Sequence, residues 1–335
     1  MQSYVMSVRN VVPGTSRFGA GIGTPSYLSV PWNPGPPDIP SGDEPLPSHA
    51  MTSVTGWMDA MVDDARRGRE PGAELDIVFL VHGYNTDPIE ALKRQRLVER
   101  ELLKRECPCM VVGFDWPTGG SAAAYLYDRD QAGQAALALM TGAIFPFALY
   151  SRPDCPIQVH VLAHSMGGYV IREAFRGADK ARLAAIPGSW RIGQMVLFAA
   201  DVASDSFAAG NLDMEPVFGH CSRLTNYFSG YDEALAVSTV KNLDISSRVG
   251  RVGMPLLKPT DAKAVDVDCG PRYLVAKEHP FQVIDGMQSH SWYLEDTVWY
   301  DDLACTLKGA WDRNVLPTRA PSPSGIQDDF VLKAQ

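Results

Sequence analysis

The string Ala163-His164-Ser165-Met166-Gly167 places a serine between small residues two positions before and two after it, with Gly168 adding further room. Small residues there let a chain turn sharply from a strand into a helix and hold the serine hydroxyl out in a strained backbone conformation. Alanine stands where a first glycine is more usual, and on steric grounds it is tolerated. A hydroxyl is a poor nucleophile until a base takes its proton, and the oxyanion formed on attack needs N–H donors in a water-poor site. The chemistry in view is nucleophilic acyl transfer, for which the chain must also supply a histidine, a carboxylate and a donor loop. Taken alone, the five-residue string would serve equally for a structural serine.

The surrounding elements favour the chemical reading. Apolar runs of strand length recur at Ile77–Val81, Met110–Phe114, Ile157–Leu162, Met195–Ala200 and Leu224–Phe228, each separated by enough residues for a helix. Near-continuous apolar strands suit a parallel sheet covered on both faces, so the alternation predicts a doubly wound α/β domain. Asp87-Pro88-Ile89-Glu90 offers an N-cap, a first-turn proline and a capping-box glutamate for a helix running to about Arg105. Val170, Ile171, Ala174 and Phe175 recur at helical spacing after Ser165, which puts the serine between a strand and a helix. A further helix is expected over Met51–Arg67.

In an α/β-hydrolase fold, with a mostly parallel central sheet and helices on both faces, the triad runs serine, acid, histidine. That order leaves His220, His279 and His290 as bases. His220 precedes a strand and lies too early. His290, in Gln288-Ser-His-Ser-Trp-Tyr293 just ahead of a C-terminal helix, is preferred over His279, which suits a loop wall. For the acid, Asp232 follows the strand Leu224–Phe228, with Asp201 as its rival; Asp232 could instead cap the segment from Glu233. The oxyanion donors expected are the N–H groups of Met166 and Tyr84, with Gly83 allowing close approach and His82 shaping the loop. Trp116, in Asp115-Trp-Pro-Thr-Gly-Gly120, either lines the site or belongs to a turn.

Composition bounds the rest. The chain has 335 residues, 45% hydrophobic and 21% charged, as ordinary globular proteins do. A net charge of -9 and the lack of a basic stripe argue against a nucleic-acid partner. The N-terminus has no basic start followed by an apolar run, so the expectation is a cytoplasmic protein. Six scattered cysteines read as reduced, and no His or Cys grouping gives a metal pattern. Gln131–Ser151 carries no charge and is long enough to cross a bilayer. It is nevertheless read as a buried helix and turn, with no integral membrane segment expected, because a span would cut the α/β pattern in half. Residues 1–60 read as an irregular Pro/Gly-rich lead-in with edge strands at Tyr4–Val8 and Ser26–Val30. Residues 61–316 form the domain, with a lid and an extra strand within 233–280, and 317–335 a flexible tail.

Together, Val78-Phe-Leu-Val-His-Gly-Tyr-Asn-Thr86, Gly113-Phe-Asp-Trp-Pro-Thr-Gly-Gly120, Val161-Leu-Ala-His-Ser-Met-Gly-Gly168, Tyr231-Asp-Glu-Ala-Leu235 and His290-Ser-Trp-Tyr293 resemble a bacterial family of α/β hydrolases of unknown function, within the lipase and esterase superfamily. The resemblance covers about residues 76–300. It implies a Ser165, Asp232, His290 triad and hydrolysis, and says nothing of the substrate; from the residues themselves no cofactor or metal is expected, and His82, Gly83, His164, Gly167 and Trp116 are expected around the elbow or pocket. The expected activity is hydrolysis of a small-molecule acyl ester through an acyl-enzyme on Ser165. A thioesterase, amidase or acyltransferase would keep the same triad, and a hydrolase-like binding protein would keep the pocket without turnover.

Overall fold

The structure is a computed structural model that describes residues 1–32, 43–70, 72–119, 125–150, 156–180, 190–241, 246–255, 263–309, 316–324 and 329–334. Its ten strands are β1 (Gln2–Val11), β2 (Phe18–Pro31), β3 (Leu75–Val81), β4 (Met110–Asp115), β5 (Ile157–His164), β6 (Ile192–Phe198), β7 (Cys221–Phe228), β8 (Ala264–Asp268), β9 (Arg319–Pro321) and β10 (Asp329–Leu332). They make one sheet in the order β2-β1-β4-β3-β5-β6-β7-β8-β10-β9. Every neighbouring pair is parallel except the two at the edges, β1 with β2 and β9 with β10.

The apolar runs are continuous because both faces are covered. Along β3, Ile77, Phe79 and Val81 join one core, while Val78 and Leu80 point to the other. The first core is closed by the helices Val54–Arg66 and Met166–Lys180 and by the apolar stretch after Asp130. The second is closed by Leu97, Val98 and Leu102 of the helix Pro88–Leu103 and by Trp299 and Leu303 of the helix Thr297–Lys308. The helix Pro88–Leu103 has the expected N-cap and first-turn proline, with the Asp87 side chain accepting from Glu90 N, but the Glu90 carboxylate turns to Lys93, Arg94 and Asp285 N–H instead of closing a capping box.

Asp130–Leu149 is long and apolar enough to cross a membrane by length and composition. Here Ala132, Ala135, Ala136, Leu139, Met140, Ala143, Ile144 and Phe147 are buried in the first core. A single π-helical turn at Met140–Ile144 joins its two α-helical parts.

The two ends of the chain depart from expectation. The strands expected at Tyr4–Val8 and Ser26–Val30 are present within β1 and β2, but they are no mere lead-in: β1 pairs in parallel with β4 and so lies inside the sheet, and β2 runs for 14 residues. The glycines that read as loop punctuation are there because β2 crosses Asn10 closely. A Cβ at Gly19 would lie 2.7 Å from Asn10 Oδ1, and one at Gly23 would lie 2.6 Å from Asn10 Cα. Most of the Pro31–Pro37 string falls outside the described residues.

Nor are the described residues of 317–335 a free tail, since β9 and β10 complete the sheet and Arg319 is buried. Arg319 grips Asp302 in a fork, Nε to Oδ2 at 2.8 Å and Nη2 to Oδ1 at 2.6 Å. The Tyr227 hydroxyl donates to the same carboxylate at 2.5 Å. Removing one partner of a buried ion pair leaves an uncompensated charge. Arg319→Ala is therefore expected to lower unfolding stability by about 3–5 kcal/mol. A chemical denaturation midpoint that falls with an unchanged slope would register it. Arg319→Met with Asp302→Leu should recover part of the loss.

Candidate active site

β5 ends at His164, and the chain turns at Ser165 with φ 54° before the helix Met166–Lys180 begins. This left-handed conformation is one that side-chain-bearing residues rarely adopt, and it is held from outside. Ser165 N–H donates to Phe198 O at 3.3 Å, and the Ser165 carbonyl accepts from Gly168 N–H and Asp201 N–H at 3.0 and 2.9 Å. The neighbouring loop comes so close that only glycine fits. A Cβ on Gly83 would stand 2.6 Å from Ser165 Cβ, and one on Gly167 would stand 2.4 Å from Val81 O.

Asp232 is fully buried and uses its two carboxylate oxygens separately. Oδ1 accepts from Leu235 N–H at 2.9 Å and so caps the helix Glu233–Lys241. Oδ2 accepts from His290 Nδ1–H at 2.7 Å. The capping and imidazole-orienting readings of Asp232 thus coexist in one side chain. With Nδ1 carrying the proton, a tautomer assigned from this bond, His290 Nε2 is left with its lone pair.

Asp201 forms an ion pair with Arg248, Oδ1 to Nε at 3.1 Å, whereas the carboxylate bonded to His290 is that of Asp232. His279 is exposed beside a different surface cavity with Arg272 and Phe281, and His220 is stacked on Trp190 with ring centroids 4.1 Å apart.

Ser165, His164, Asp201 and His290 all line one cavity of about 550 Å3. Ala234, Leu235, Val237 and Met287 supply apolar wall, and Asp87, Glu90, Arg94 and Asp285 supply polar wall. No hydrogen bond joins Ser165 Oγ to His290 in this structure; such catalytic bonds are often long before substrate arrives. The helix Glu233–Lys241 walls the cavity where a lid was expected, but 242–245 and 256–262 of that span lie outside the described residues.

Tyr84 lines the same cavity, and Met166 opens its helix, in the turn where an α-helix supplies no internal acceptor for N–H groups. His82 shapes the loop between them. Its Nδ1–H donates to Gly83 O at 2.9 Å and its Nε2 accepts from Trp116 N–H at 3.2 Å. Burial holds His82 below its ordinary pKa, as a neutral ring in this role requires. Trp116 does not line the cavity. It is fully buried, stacks on His82 with centroids 5.7 Å apart, and donates its indole N–H to His82 O at 3.0 Å.

His164 packs against His290. Its Nε2–H donates to His290 O at 3.1 Å and the two rings are 4.7 Å apart. Burial, with the charges of His290 and Arg94, holds His164 well below its ordinary value of 6.5. The unfolded chain therefore binds a proton that the folded one refuses, and stability contributed by this group is lost as pH falls below about 6.5. His164→Gln keeps a donor for His290 O but cannot titrate. Its unfolding free energy, compared with the wild type, should gain up to about 1.4 kcal/mol per pH unit in that range. Parallel pH–stability curves would contradict the assignment.

Sequence reasoning missed Glu90, Arg94 and Asp285. Glu90 and Arg94 sit four residues apart on a helix, and Arg94 Nε donates to Glu90 Oε1 at 2.9 Å. They also hold the loop ahead of His290: Arg94 Nη2 donates to Asp285 O at 2.7 Å, and Asp285 N–H donates to Glu90 Oε1 at 3.1 Å. Among the described residues no group of three or more His, Cys, Asp or Glu side chains is arranged to hold a metal ion.

Comparison with solved structures finds a provisionally named hydrolase from Agrobacterium vitis S4 at 13% identity and TM-score 0.38, covering 72% of this chain and 90% of that one. It also finds a provisionally named cell surface hydrolase from Lactobacillus plantarum WCFS1 at 16% identity and TM-score 0.28, covering 47% and 68%. At these scores neither carries an argument. No curated protein matches the chain. The family model described as Alpha/beta hydrolase of unknown function (DUF900) matches residues 69–265, a span that holds Ser165 and Asp232, and the chain belongs to that α/β-hydrolase family.

Proposed function

We propose that the protein is a serine hydrolase acting on carboxylic esters. The observation that carries this reading is the 2.7 Å bond from His290 Nδ1 to Asp232, on the same cavity as a serine held at φ 54° on a strand-to-helix turn. His290 Nε2 takes the Ser165 proton as Oγ adds to the acyl carbonyl, and the N–H groups of Met166 and Tyr84 receive the oxyanion. The imidazolium, steadied by Asp232, returns the proton to the leaving alkoxide as the C–O bond breaks. An alcohol departs and an acyl-enzyme remains on Ser165. Water, deprotonated by His290, then adds to the acyl carbon, and the imidazolium returns that proton to Ser165 Oγ as its C–O bond breaks and the carboxylic acid is released. The apolar wall of Ala234, Leu235, Val237 and Met287 suits an uncharged acyl or alcohol group.

A panel of aryl esters, acyl-CoA thioesters and amides tests the substrate class. The expected order has esters fastest by kcat/KM. A preference for acyl-CoA would replace the ester reading with a thioesterase or acyltransferase using the same residues.

A further inference from the structure

Arg9 lies in β1, outside the span matched by the family, and its side chain is buried among groups of the two loops beside Ser165. Its Nε donates to Asp115 Oδ1 at 2.7 Å, and its Nη2 donates both to Trp116 O at 2.8 Å and to Thr86 O at 3.0 Å. Ser7, two residues earlier on the same strand, donates to the other Asp115 oxygen at 2.7 Å. The loop after β3 is thus fastened at both ends to the loop after β4. His82 meets Trp116 at one end, and at the other Thr118 Oγ1 accepts from Thr86 N–H at 3.2 Å while Thr86 O is gripped by Arg9. Between those fasteners stand Tyr84 and Asn85, the latter at φ 52°.

We infer that Arg9 is a positioning residue for the oxyanion loop, its planar fork setting where Tyr84 N–H stands relative to Ser165. This rests on the reading above, in which Tyr84 receives the oxyanion. A guanidinium is suited to the task because one planar group holds a carboxylate and two carbonyls in fixed directions, which a lysine ammonium cannot reproduce. The arrangement also gives the N-terminal strand a part in the site, since β1 is what carries Arg9 to the ends of β3 and β4.

Arg9→Lys keeps a cation beside Asp115 and loses the fork. It should lower kcat for an ester by about ten- to a hundredfold, less than outright loss of an oxyanion donor, with KM within about threefold. Amide hydrogen exchange of Tyr84, Asn85 and Thr86 should quicken by about tenfold, while amides in the middle of β5 keep their rates. The double variant Arg9→Met with Asp115→Asn removes both charges and avoids stranding a buried carboxylate, and the same signature is expected from it. Wild-type kcat and loop exchange in both variants would overturn the inference, as would exchange that quickens evenly across the whole sheet. If the wild-type protein turned over no ester, the functional reading would fail, and loop exchange alone would decide the role of Arg9.

Discussion

Ser165→Ala is expected to lower kcat by about three or more powers of ten in a protein that folds as the wild type does, and His290→Ala to do the same. Ser165 is the only serine placed on the strand-to-helix turn, and alanine removes one oxygen without altering the β5 end or the hydrogen bonds that its backbone makes to Phe198, Gly168 and Asp201. Without Oγ no acyl-enzyme forms. Without the imidazole, Oγ remains a neutral hydroxyl. Because the two act as one unit, the double variant should be about as slow as either single one, the residual rate coming from the donor loop and binding. KM should move little, since neither group is asked to hold the ground-state substrate. Steady-state kinetics on an aryl ester, with unfolding curves for each variant, check all of this.

Asp232→Asn carries the second large effect, about 10³–10⁴ in kcat, through the tautomer of His290. An asparagine can still offer an oxygen to Leu235 N–H, so the cap on the helix Glu233–Lys241 survives. Its NH₂ then faces His290 where Oδ2 stood, and the ring must present an acceptor at Nδ1, which moves the proton to Nε2. A base already protonated toward the serine cannot accept the serine proton. Asp232→Ala should be equally slow and also lose about 1 kcal/mol of stability, because the cap goes too. Asp201→Asn should stay within about tenfold of wild-type kcat, since Asp201 pairs with Arg248 and the carboxylate bonded to His290 is that of Asp232. A nearly silent Asp232→Asn beside an inactive Asp201→Asn would reverse the assignment of the acid.

Much of the sheet was legible because its strands are buried on both sides. β3 to β7 each contain an apolar run that no surface element would tolerate, so their order and spacing disclose a parallel sheet. The turn at Ser165 was legible for a steric reason, the glycine needed at 167 against Val81 O. Of the end strands, Tyr4–Val8 and Ser26–Val30 were expected and lie within β1 and β2, but the place of β1 inside the sheet was not legible, nor were β9 and β10. β1 buries Ser3, Ser7 and Arg9 along with Tyr4, Val5, Met6 and Val8, so its pattern lacks both alternation and continuous apolarity. β9 is Arg319-Ala-Pro, which reads as a turn until Asp302 and Tyr227 are seen waiting for the guanidinium. The site divides along the same line. Ser165, Asp232 and His290 stand at fixed places in a known strand order, whereas Arg9, Glu90, Arg94 and Asp285 act through partners roughly 80 to 190 residues away, beyond the reach of local pattern.

The most direct test of the central claim is intact-mass and peptide-mass analysis of the folded protein after treatment with a fluorophosphonate. One phosphonyl adduct on Ser165, lost in Ser165→Ala and strongly slowed in His290→Ala, is the predicted result. A well-folded wild-type protein that takes up no label, or labels equally well in Ser165→Ala, would contradict it.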